Sequence, residues 1–371
     1  MSNEENDKAK GACCEEIEPP QLDIAPPASG YRPRIGLIGA GGITDHHLKA
    51  YRRLGLEVVA IANPTVAKAE ARRDQFYPDA EVFSDGFELI HKRTDIEVLD
   101  IATHPGPRVA LIEAALNAGR HVLSQKPFVE DLDVGARLCD LADAKGVKLA
   151  VNQNGRWAPY YRYALQAVRA GLLGQVSSVD FLAGWDHRWT EGTPFNEIHH
   201  LLLYDFGVHW FDFAMAFMEG RTARKVYAST ARANFQTAKP PFLATAVMDF
   251  DGAQVRISYN ANVEYGQEDR FVVCGEKGTV RSAGNGLTDH NFGLQLFTAG
   301  GVARPKFDST WFEVGFEGTM MELLAAVEQG REPENSGRSN LRSLELCFAA
   351  LHSADTGDVV VPGTVRRMGS D

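Results

Sequence analysis

The chain has 371 residues, enough for two domains of ordinary size, each with its own hydrophobic core. Its hydrophobic content of 44% and charged content of 23% are those of a soluble globular protein. A net charge of −11 at pH 7 argues against nucleic acid or an anionic membrane as the main partner.

Residues 1–30 form an acidic tail. They carry seven acidic side chains against two lysines, so they supply −5 of the net charge. The tail also contains four prolines and no apolar periodicity, which predicts disorder. It lacks the apolar stretch of a signal peptide, and no other run is long enough to span a membrane.

Between residues 31 and 153, short apolar runs alternate with helical patterns. In chain order the predicted elements are a strand from Arg34, a helix from about Ile43, the strand Val58–Ala62, the helix Val66–Phe76, the strand Val98–Ala102, the helix Arg108–Ala118, the strand His121–Leu123, the helix Asp133–Lys145 and the strand Lys148–Val151. Continuous apolar strands separated by helices predict a parallel sheet covered on both faces.

The first of these strands runs into a glycine-rich turn and then a helix. Gly39 permits a tight turn, and Gly41, which has no Cβ, lets the backbone approach a phosphate group. The helix from Ile43 offers N–H groups and the positive end of its dipole to that phosphate. Thr44 replaces the third glycine of the usual motif, so a turn that binds nothing is the alternative. The place of the turn at the first strand–helix junction favours dinucleotide binding.

After residue 154, strands follow one another with few helices between them. The predicted elements are a helix over Tyr160–Ala170, the strand Val176–Ala183, a helical segment over Asp205–Met218, the strands Lys225–Ala233, Leu243–Phe250, Gln254–Asn262, Arg270–Val273 and Gly293–Phe297, and helices over Glu317–Glu328 and Leu341–Ser353. This succession predicts one antiparallel sheet.

Lys126 is the first candidate for chemistry. It lies just past the strand His121–Leu123, and in an open α/β sheet the carboxyl ends of the strands face the ligand crevice. A lysine there can hold a substrate oxygen and stabilise developing negative charge. A solvated lysine before a turn proline is the alternative interpretation.

Asp205 and His209 are the second candidate. They are four residues apart, so on a helix they share one face, and their apolar neighbours indicate that the helix is mostly buried. Each is the obvious hydrogen-bond partner of the other. Because histidine titrates near neutral pH, His209 suits proton exchange with a substrate hydroxyl. A purely structural pair is the alternative.

A third group combines aromatic and polar side chains: Asn154, Arg156 and Trp157, with Trp185 and Trp189 further along. Tryptophan faces beside hydrogen-bonding groups suit carbohydrate rings. They are equally common in protein cores and in dimer interfaces.

No metal site is predicted. His199 and His200 are adjacent, yet no third or fourth ligand stands at useful spacing. The cysteines have neither metal-ligand spacing nor a disulfide framework; they are Cys13, Cys14, Cys139, Cys274 and Cys347. Adjacent thiols at Cys13 and Cys14 could bind metal or oxidise, but incidental thiols are the simpler interpretation. A reducing cytoplasm fits this composition.

Together these motifs resemble the Gfo/Idh/MocA family of NAD(P)-dependent oxidoreductases, over nearly the whole chain from Arg34 onward. The glycine turn of the family matches residues 39–43, and its helix-to-strand passage ending in glutamate-lysine-proline is similar to residues 114–127. Its second-domain signature, aspartate-x-glycine-x-histidine-x-x-aspartate, matches Asp205, Gly207, His209 and Asp212.

The resemblance implies an α/β fold. An N-terminal Rossmann domain would span residues 31–153. A C-terminal α+β domain over 154–371, with a large open, mostly antiparallel sheet, would bind substrate and form a homodimer or homotetramer. Lys126, Asp205 and His209 would be the catalytic group, with His209 as acid/base.

Two sets of contacts follow from the motifs and the resemblance. Cofactor contacts are expected from Gly39, Gly41, Gly42, Ile43, Thr44, Asn63, Thr103, His104, Gln125 and Lys126. Substrate contacts are expected from Asn154, Arg156, Trp157, Trp185, Asp205 and His209.

Several positions depart from the family pattern. Gln125 stands where the family usually has glutamate, Arg108 where it has histidine, and His104 where it has proline, so activity could be altered or lost. Asn63 ends the second strand, where an acidic residue would bind the adenosine ribose and repel a 2′-phosphate. Asparagine does not repel phosphate and no arginine follows at once, so NAD and NADP both remain open as the cofactor.

The leading hypothesis is a cytoplasmic NAD(P)-dependent dehydrogenase or reductase acting on a sugar, polyol or related cyclic hydroxy compound. A lyase, epimerase or glycosidase that uses bound cofactor as a transient oxidant is one alternative. A non-catalytic, cofactor-sensing binding protein is the other, and Gln125 is the best hint of it.

Overall fold

A computed structural model describes residues 15–285 and 289–369. The described chain contains two sheets, one of six strands and one of nine. In these ranges no helix combines the length and the apolar character that crossing a membrane requires.

The first sheet is parallel. Its strands are β2 (Arg34–Ile38), β3 (Glu57–Ala62), β4 (Glu81–Phe83), β5 (Val98–Ile101), β6 (His121–Ser124) and β7 (Leu149–Val151). Their spatial order is β4-β3-β2-β5-β6-β7, and every neighbouring pair is parallel. The order reverses at β2, so the glycine turn after β2 lies at the topological switch point where such sheets bind ligands.

Helices cover both faces of this sheet, as predicted. They are α1 (Thr44–Arg53), α2 (Val66–Phe76), α3 (Gly86–Lys92), α4 (Pro105–Asn117) and α5 (Leu132–Lys145). Apolar residues of α1 and α2 pack on one face and those of α3, α4 and α5 on the other. The sequence interpretation omitted β4 and α3, because both are short and carry little periodic signal.

The second sheet contains the remaining strands: β1 (Glu16–Ile17), β8 (Val176–Gly184), β9 (Ala223–Ala231), β10 (Leu243–Phe250), β11 (Ala253–Asn260), β12 (Glu268–Gly275), β13 (Gly278–Gly284), β14 (Gly293–Thr298) and β15 (Gly301–Ala303). Among the strand pairs of this sheet in the described ranges, only β1–β15 and β8–β11 are parallel. The predicted α/β class, with a Rossmann sheet and a large, mostly antiparallel sheet, is therefore confirmed.

Four helices complete the fold: α6 (Pro159–Arg169), α7 (Val208–Phe217), α8 (Trp311–Gln329) and α9 (Gly337–Thr356). Aromatic stacking joins α6, α7 and the large sheet, since Tyr161 lies 3.9 Å from Phe213 and 4.5 Å from Phe271 between ring centroids. By contrast, α8 packs on the parallel sheet through Phe316 and Met320. The chain therefore returns to the first sheet after residue 310. A single division of the chain between residues 153 and 154 assigns this helix to the second domain only.

The prediction of a disordered tail is wrong for residues 15–30. Glu16–Ile17 adds to the large sheet as β1, and the carbonyl oxygen of Pro20 accepts a hydrogen bond from Tyr163 at 3.1 Å. Ser29 donates a hydrogen bond to Glu328 at 2.8 Å. Polar composition indicated disorder, but a two-residue strand and a few side-chain contacts hold this segment. Cys13 and Cys14 lie outside the described residues.

Candidate functional site

The glycine turn lies at the carboxyl edge of the parallel sheet. Gly39 has a positive φ of 111°, and a Cβ there would collide with the carbonyl of Ala102 at the end of β5. A Cβ built at Gly41 or Gly42 meets no heavy atom within 4 Å, so the turn presents open backbone at both positions. Such an open turn before a helix fits a dinucleotide pyrophosphate. Thr44 caps the turn by donating a hydrogen bond to the carbonyl of Gly41 at 2.6 Å.

Asn63 ties the end of β3 to this turn. Its Oδ1 accepts a hydrogen bond from the N–H of Ala40 at 3.1 Å, and its amide nitrogen donates to the carbonyl of Thr65 at 3.0 Å. Arg72 reaches the same turn from α2, donating to the carbonyl of Gly41 at 3.3 Å and pairing with Asp45 at 3.1 Å. Sequence reasoning missed Arg72, because it lies nine positions beyond Asn63 on a helix that carries several basic residues.

Lys126 and Asp205 meet across the two halves of the molecule. The Lys126 ammonium donates a hydrogen bond to the carbonyl oxygen of Asp205 at 2.7 Å, and it lies 3.5 Å from the Asp205 carboxylate. The two side chains are 17% and 18% exposed, so the ion pair is partly screened from water. Lys126 thus stands at the edge of the β6 strand, facing the second half of the chain, as the sequence predicts.

Asp205 is presented by a π-helical turn rather than by the continuous helix that the sequence predicts. The turn spans Leu202–Phe206, and α7 begins only at Val208. A Cβ at Gly207 would collide with the carbonyl oxygen of Leu203, so the junction requires glycine. Such π-turns occur often at functional sites because they reorient side chains within a helix.

His209 lies on the first turn of α7, beside this junction. Burial lowers the pKa of His209 well below its ordinary value, and the positive charge of Lys126 lowers it further. Its Nδ1 is buried and has no hydrogen-bond partner among residues 15–285 and 289–369. The ring packs edge-to-face against Trp311 with centroids 5.3 Å apart. A neutral imidazole is suited to accept a proton.

The structure therefore brings Lys126, Asp205 and His209 into one group, but it changes the pairing within that group. Asp205 makes its polar contacts with Lys126, and no hydrogen bond joins it to His209. The π-turn is the physical reason, because it moves Asp205 off the face that residues four apart share on an α-helix.

Arg156 has a different environment from the one predicted. It is 5% exposed and forms a two-pronged ion pair with Asp212, at 2.6 Å and 2.7 Å. Its guanidinium also donates to Ser339 at 3.0 Å, while Ser343 donates to Asp212 at 3.0 Å. These contacts clamp α7 and α9 together. They favour a structural role for Arg156 over the predicted contact with substrate.

Asn154 and Trp157 are likewise committed to packing. Asn154 Oδ1 accepts a hydrogen bond from the indole of Trp311 at 2.7 Å, and Trp157 is 0% exposed. Neither therefore presents the open ring face or free amide expected of a sugar-binding side chain. Trp185 lines a small cavity together with Phe206, the neighbour of Asp205, and its contact with substrate stays a prediction.

Arg108 braces the two loops that meet near the glycine turn. It is 1% exposed and donates a hydrogen bond to the carbonyl of Gln125 at 2.6 Å, with further bonds to the carbonyls of Pro127 and Thr103. Burial lowers its pKa to about 10. The arginine that stands here in place of the histidine usual in the family therefore links the loop that carries Thr103 to the loop that carries Lys126. His104, which follows Thr103, is exposed.

The structure adds a third residue to the adjacent histidines. Asp355 at the end of α9 lies 3.1 Å from the Nε2 atom of His199 and 2.9 Å from that of His200. The three ligand atoms fall within 4.8 Å of one another. Sequence spacing missed this cluster because Asp355 is far away along the chain. The Nε2 atoms of both rings already lie within hydrogen-bond distance of Asp355, so the cluster is a hydrogen-bonded contact between the ends of two segments.

Comparisons with known proteins agree with this architecture. Residues 33–153 match the profile of the Gfo/Idh/MocA oxidoreductase family, NAD-binding Rossmann fold, and residues 161–281 match that of the Gfo/Idh/MocA C-terminal domain. An inositol 2-dehydrogenase of Rhizobium meliloti is 28% identical over 331 residues, which cover 86% of this chain and 96% of that protein. A D-apiose dehydrogenase of Paraburkholderia graminis is 29% identical over 344 residues, which cover 87% and 88%.

Solved structures share the fold. An oxidoreductase from Agrobacterium radiobacter, in complex with NAD+, L-tartaric acid and magnesium, superposes with a TM-score of 0.80 at 21% identity, covering 90% of this chain and 99% of that one. Scyllo-inositol dehydrogenase from Lactobacillus casei, with NAD(H) and scyllo-inositol, has a TM-score of 0.76 at 20% identity and covers 90% and 100%. Because the two family profiles together match more than half of the chain, the chain belongs to the Gfo/Idh/MocA family of oxidoreductases, whose Rossmann domain binds NAD.

Proposed function

We propose that the protein is an NAD(P)-dependent dehydrogenase or reductase that interconverts a hydroxyl and a carbonyl group on a sugar, polyol or related cyclic compound. One observation carries the proposal: the ammonium of Lys126 and the neutral imidazole of His209 converge at the carboxyl edge of the sheet that also carries the open glycine turn. A cation and a proton acceptor at the edge of a dinucleotide-binding sheet are the groups that oxidation of a hydroxyl requires.

Each side chain has a defined task in this proposal. A nicotinamide dinucleotide bound at the glycine turn supplies the acceptor for a hydride from the substrate carbon. Lys126 donates a hydrogen bond to the substrate oxygen and stabilises the negative charge that develops there. His209 takes the hydroxyl proton on its neutral imidazole ring, and it gives that proton back in the reverse direction. Asp205 holds the Lys126 ammonium in place.

The substrate class follows from the relatives. The relatives named above oxidise inositol or apiose, which are small polyhydroxylated compounds. Inositols and free sugars are therefore the first compounds to test.

The experiment is a panel of sugars and inositols, assayed with NAD and with NADP by nicotinamide absorbance. Net reduction of cofactor with at least one compound is the expected result. Product formation without net change in absorbance would instead indicate a lyase, epimerase or glycosidase that uses cofactor transiently. Binding of cofactor and sugar without any product would indicate a sensing protein.

We also propose that the open face of the large sheet forms a homodimer or homotetramer. Partly exposed apolar residues alternate with polar ones along this face, among them Leu182, Val247, Val272 and Phe297. Tyr227 on the same sheet is 44% exposed. Sedimentation velocity of the purified protein tests the oligomer, and a monomer at micromolar concentration would contradict it.

A cytoplasmic location is consistent with the free thiols of Cys139, Cys274 and Cys347.

A further inference from the structure

A buried polar chain lies directly beneath Lys126. It consists of His47 on α1, Asp100 on β5, Gln125 after β6 and Asn152 after β7. The four side chains are between 0% and 6% exposed. Buried polar groups need hydrogen-bond partners, and a connected set of them rigidifies the site around it.

Three contacts converge on the His47 ring. Its Nδ1 lies 2.7 Å from Asp100 Oδ2, and its Nε2 lies 3.1 Å from the amide nitrogen of Gln125 and 3.0 Å from that of Asn152. The other end of the Gln125 amide, Oε1, accepts a hydrogen bond from the backbone N–H of Lys126 at 2.7 Å. The chain thus runs from Asp100 through His47 and Gln125 to the backbone of Lys126.

One unambiguous donor fixes the protons along this chain. The backbone N–H of Lys126 can only donate, so the Gln125 atom facing it must be the oxygen. The Gln125 atom facing His47 is then the NH2 group, which is a donor. His47 Nε2 must therefore accept, and its single proton must be on Nδ1, where Asp100 accepts it.

The neighbouring groups agree with this assignment. Thr319 donates a hydrogen bond to Asn152 Oδ1 at 2.9 Å, which turns the NH2 group of Asn152 toward His47 as a second donor. Tyr51 donates to Asp100 Oδ2 at 2.7 Å. The titratable groups around His47 are Asp100, Tyr51 and His46, the residue before it in the chain. The ring of Phe316 on α8 packs against the His47 ring.

We propose that His47, held as the neutral Nδ1–H tautomer, is a positioning residue that orients Lys126 through Gln125. This inference rests on the role of Lys126 in the proposed function. Gln125 is then a required part of the site rather than a sign of lost activity, because an amide alone can donate to His47 and accept from Lys126 at once. A carboxylate at this position has no proton to donate. Its oxygen therefore faces the lone pair of His47 Nε2, and two acceptors oppose each other without a hydrogen bond.

The test is the Gln125→Glu variant, compared with the wild type. The exposed Gln329→Glu variant is the control, because it makes the same change of charge away from the site. In Gln125→Glu, the chain is restored only when His47 takes a second proton and bridges the two carboxylates. The kcat of the variant relative to wild type should therefore fall at least about tenfold as pH rises from about 6 to about 9. For Gln329→Glu, the ratio of its kcat to that of the wild type should stay near one over the same pH range.

A second variant identifies the titrating group. In the double variant His47→Gln/Gln125→Glu, compared with His47→Gln, the relative kcat should be independent of pH. A relative kcat of Gln125→Glu that is flat with pH, or one that still falls in the double variant, would overturn the role of His47. Loss of turnover in the wild type with every compound of the panel would instead contradict the proposed function.

Nuclear magnetic resonance gives a readout that does not need turnover. In wild-type protein with 15N-labelled histidine, the two ring nitrogens of His47 should show shifts of a protonated Nδ1 and an unprotonated Nε2. His47→Gln identifies the resonances by their disappearance. A proton on Nε2, or a doubly protonated ring, would contradict the assignment whatever the activity.

Discussion

Lys126 and Asp205 join the two halves of the chain, with the ammonium nitrogen 2.7 Å from the carbonyl oxygen and 3.5 Å from the carboxylate of Asp205. The lysine comes from the edge of the parallel sheet, and the aspartate from the π-turn before α7. This contact lets a cation from one half act beside an imidazole from the other. The catalytic proposal depends on it.

Replacing Lys126 by methionine should abolish turnover while leaving cofactor binding largely intact. Methionine keeps most of the side-chain volume but cannot donate to the substrate oxygen, and losing such a donor lowers kcat by about a hundredfold to a thousandfold. The measurements are kcat with the best compound of the panel and NADH binding by fluorescence. The exposed Lys145→Met is the matched control, and turnover equal to wild type in Lys126→Met would remove Lys126 from the catalytic group.

His209 should remain neutral through neutral pH. Because burial and then the Lys126 charge lower its pKa, protonation of His209 should reduce hydroxyl oxidation only well below about pH 6.5. In Lys126→Met the pKa of His209 should rise, since one of the two causes is removed. Histidine NMR titration of both proteins measures this shift. An unchanged pKa in Lys126→Met would show that the two groups are not electrostatically coupled.

Turnover should also depend directly on the His209 imidazole. His209→Asn should lower kcat by about a hundredfold or more, since general base catalysis contributes at least that much. The exposed His91→Asn provides a matched control with no expected loss. Full activity of His209→Asn would assign the proton transfer to another group.

Asp212 should contribute to folding stability rather than to chemistry. Asp212→Ala leaves the buried guanidinium of Arg156 without its partner, which typically costs about 3 to 5 kcal/mol. Asp251→Ala, which removes the exposed pair with Arg224, should cost about 0 to 1 kcal/mol. Urea unfolding of both variants gives the comparison. Equal losses would mean that the Arg156–Asp212 clamp is not what holds α7 and α9.

Asn63 should set the tolerance for NADP. Asn63→Asp keeps the acceptor for Ala40 but adds a negative charge near the ribose position, so discrimination against NADP should rise at least about tenfold, or about 1.4 kcal/mol. The ratio of kcat/KM for NAD to that for NADP measures it, with the exposed Asn117→Asp as control. A ratio that does not change in Asn63→Asp would place the 2′-position away from this side chain.

Asp269 should make the protein less stable as pH rises. It is fully buried, and neither carboxyl oxygen has a hydrogen-bond partner within the described ranges. Burial, and then the charge of Glu268, raises its pKa to about 8. Between about pH 4 and about pH 8 the folded state keeps a proton that the unfolded state releases, so the free energy of unfolding should fall by up to about 1.4 kcal/mol per pH unit.

Asp269→Asn should flatten this dependence, whereas the exposed Asp79→Asn should leave it unchanged. Urea unfolding at about pH 5 and about pH 8 compares the three proteins. If the wild type and Asp269→Asn respond to pH in the same way, Asp269 titrates normally in the folded protein.

Much of the fold was predictable because its signals are local. The helix Val66–Phe76 and the strand Leu243–Phe250 coincide with their predicted bounds, since apolar periodicity and flanking turn residues act within a few positions. The short β4 and α3 were missed, as was β13. The tail shows the opposite error, because its polar composition gave no sign that Glu16–Ile17 would pair with β15.

Sequence motifs also identified the residues of the candidate site better than they identified the partners of those residues. Lys126, Asp205 and His209 lie together, but Asp205 pairs with the lysine and not with the histidine. Arg156 and Trp157 looked like ligand-binding groups, yet the fold buries both. Exposure and pairing depend on residues that are distant in sequence, such as Asp212, and no local pattern encodes them.

The amino-acid sequence by itself determined the glycine turn, the alternation of strands and helices, and which side chains can carry charge or protons. Backbone conformation and apolar patterning decide these properties over a few residues. Only the tertiary structure decided that a buried imidazole supports the amide beside Lys126, and that a π-turn redirects Asp205. Hydrogen-bond pairing and desolvation arise only when segments from distant parts of the chain exclude water together.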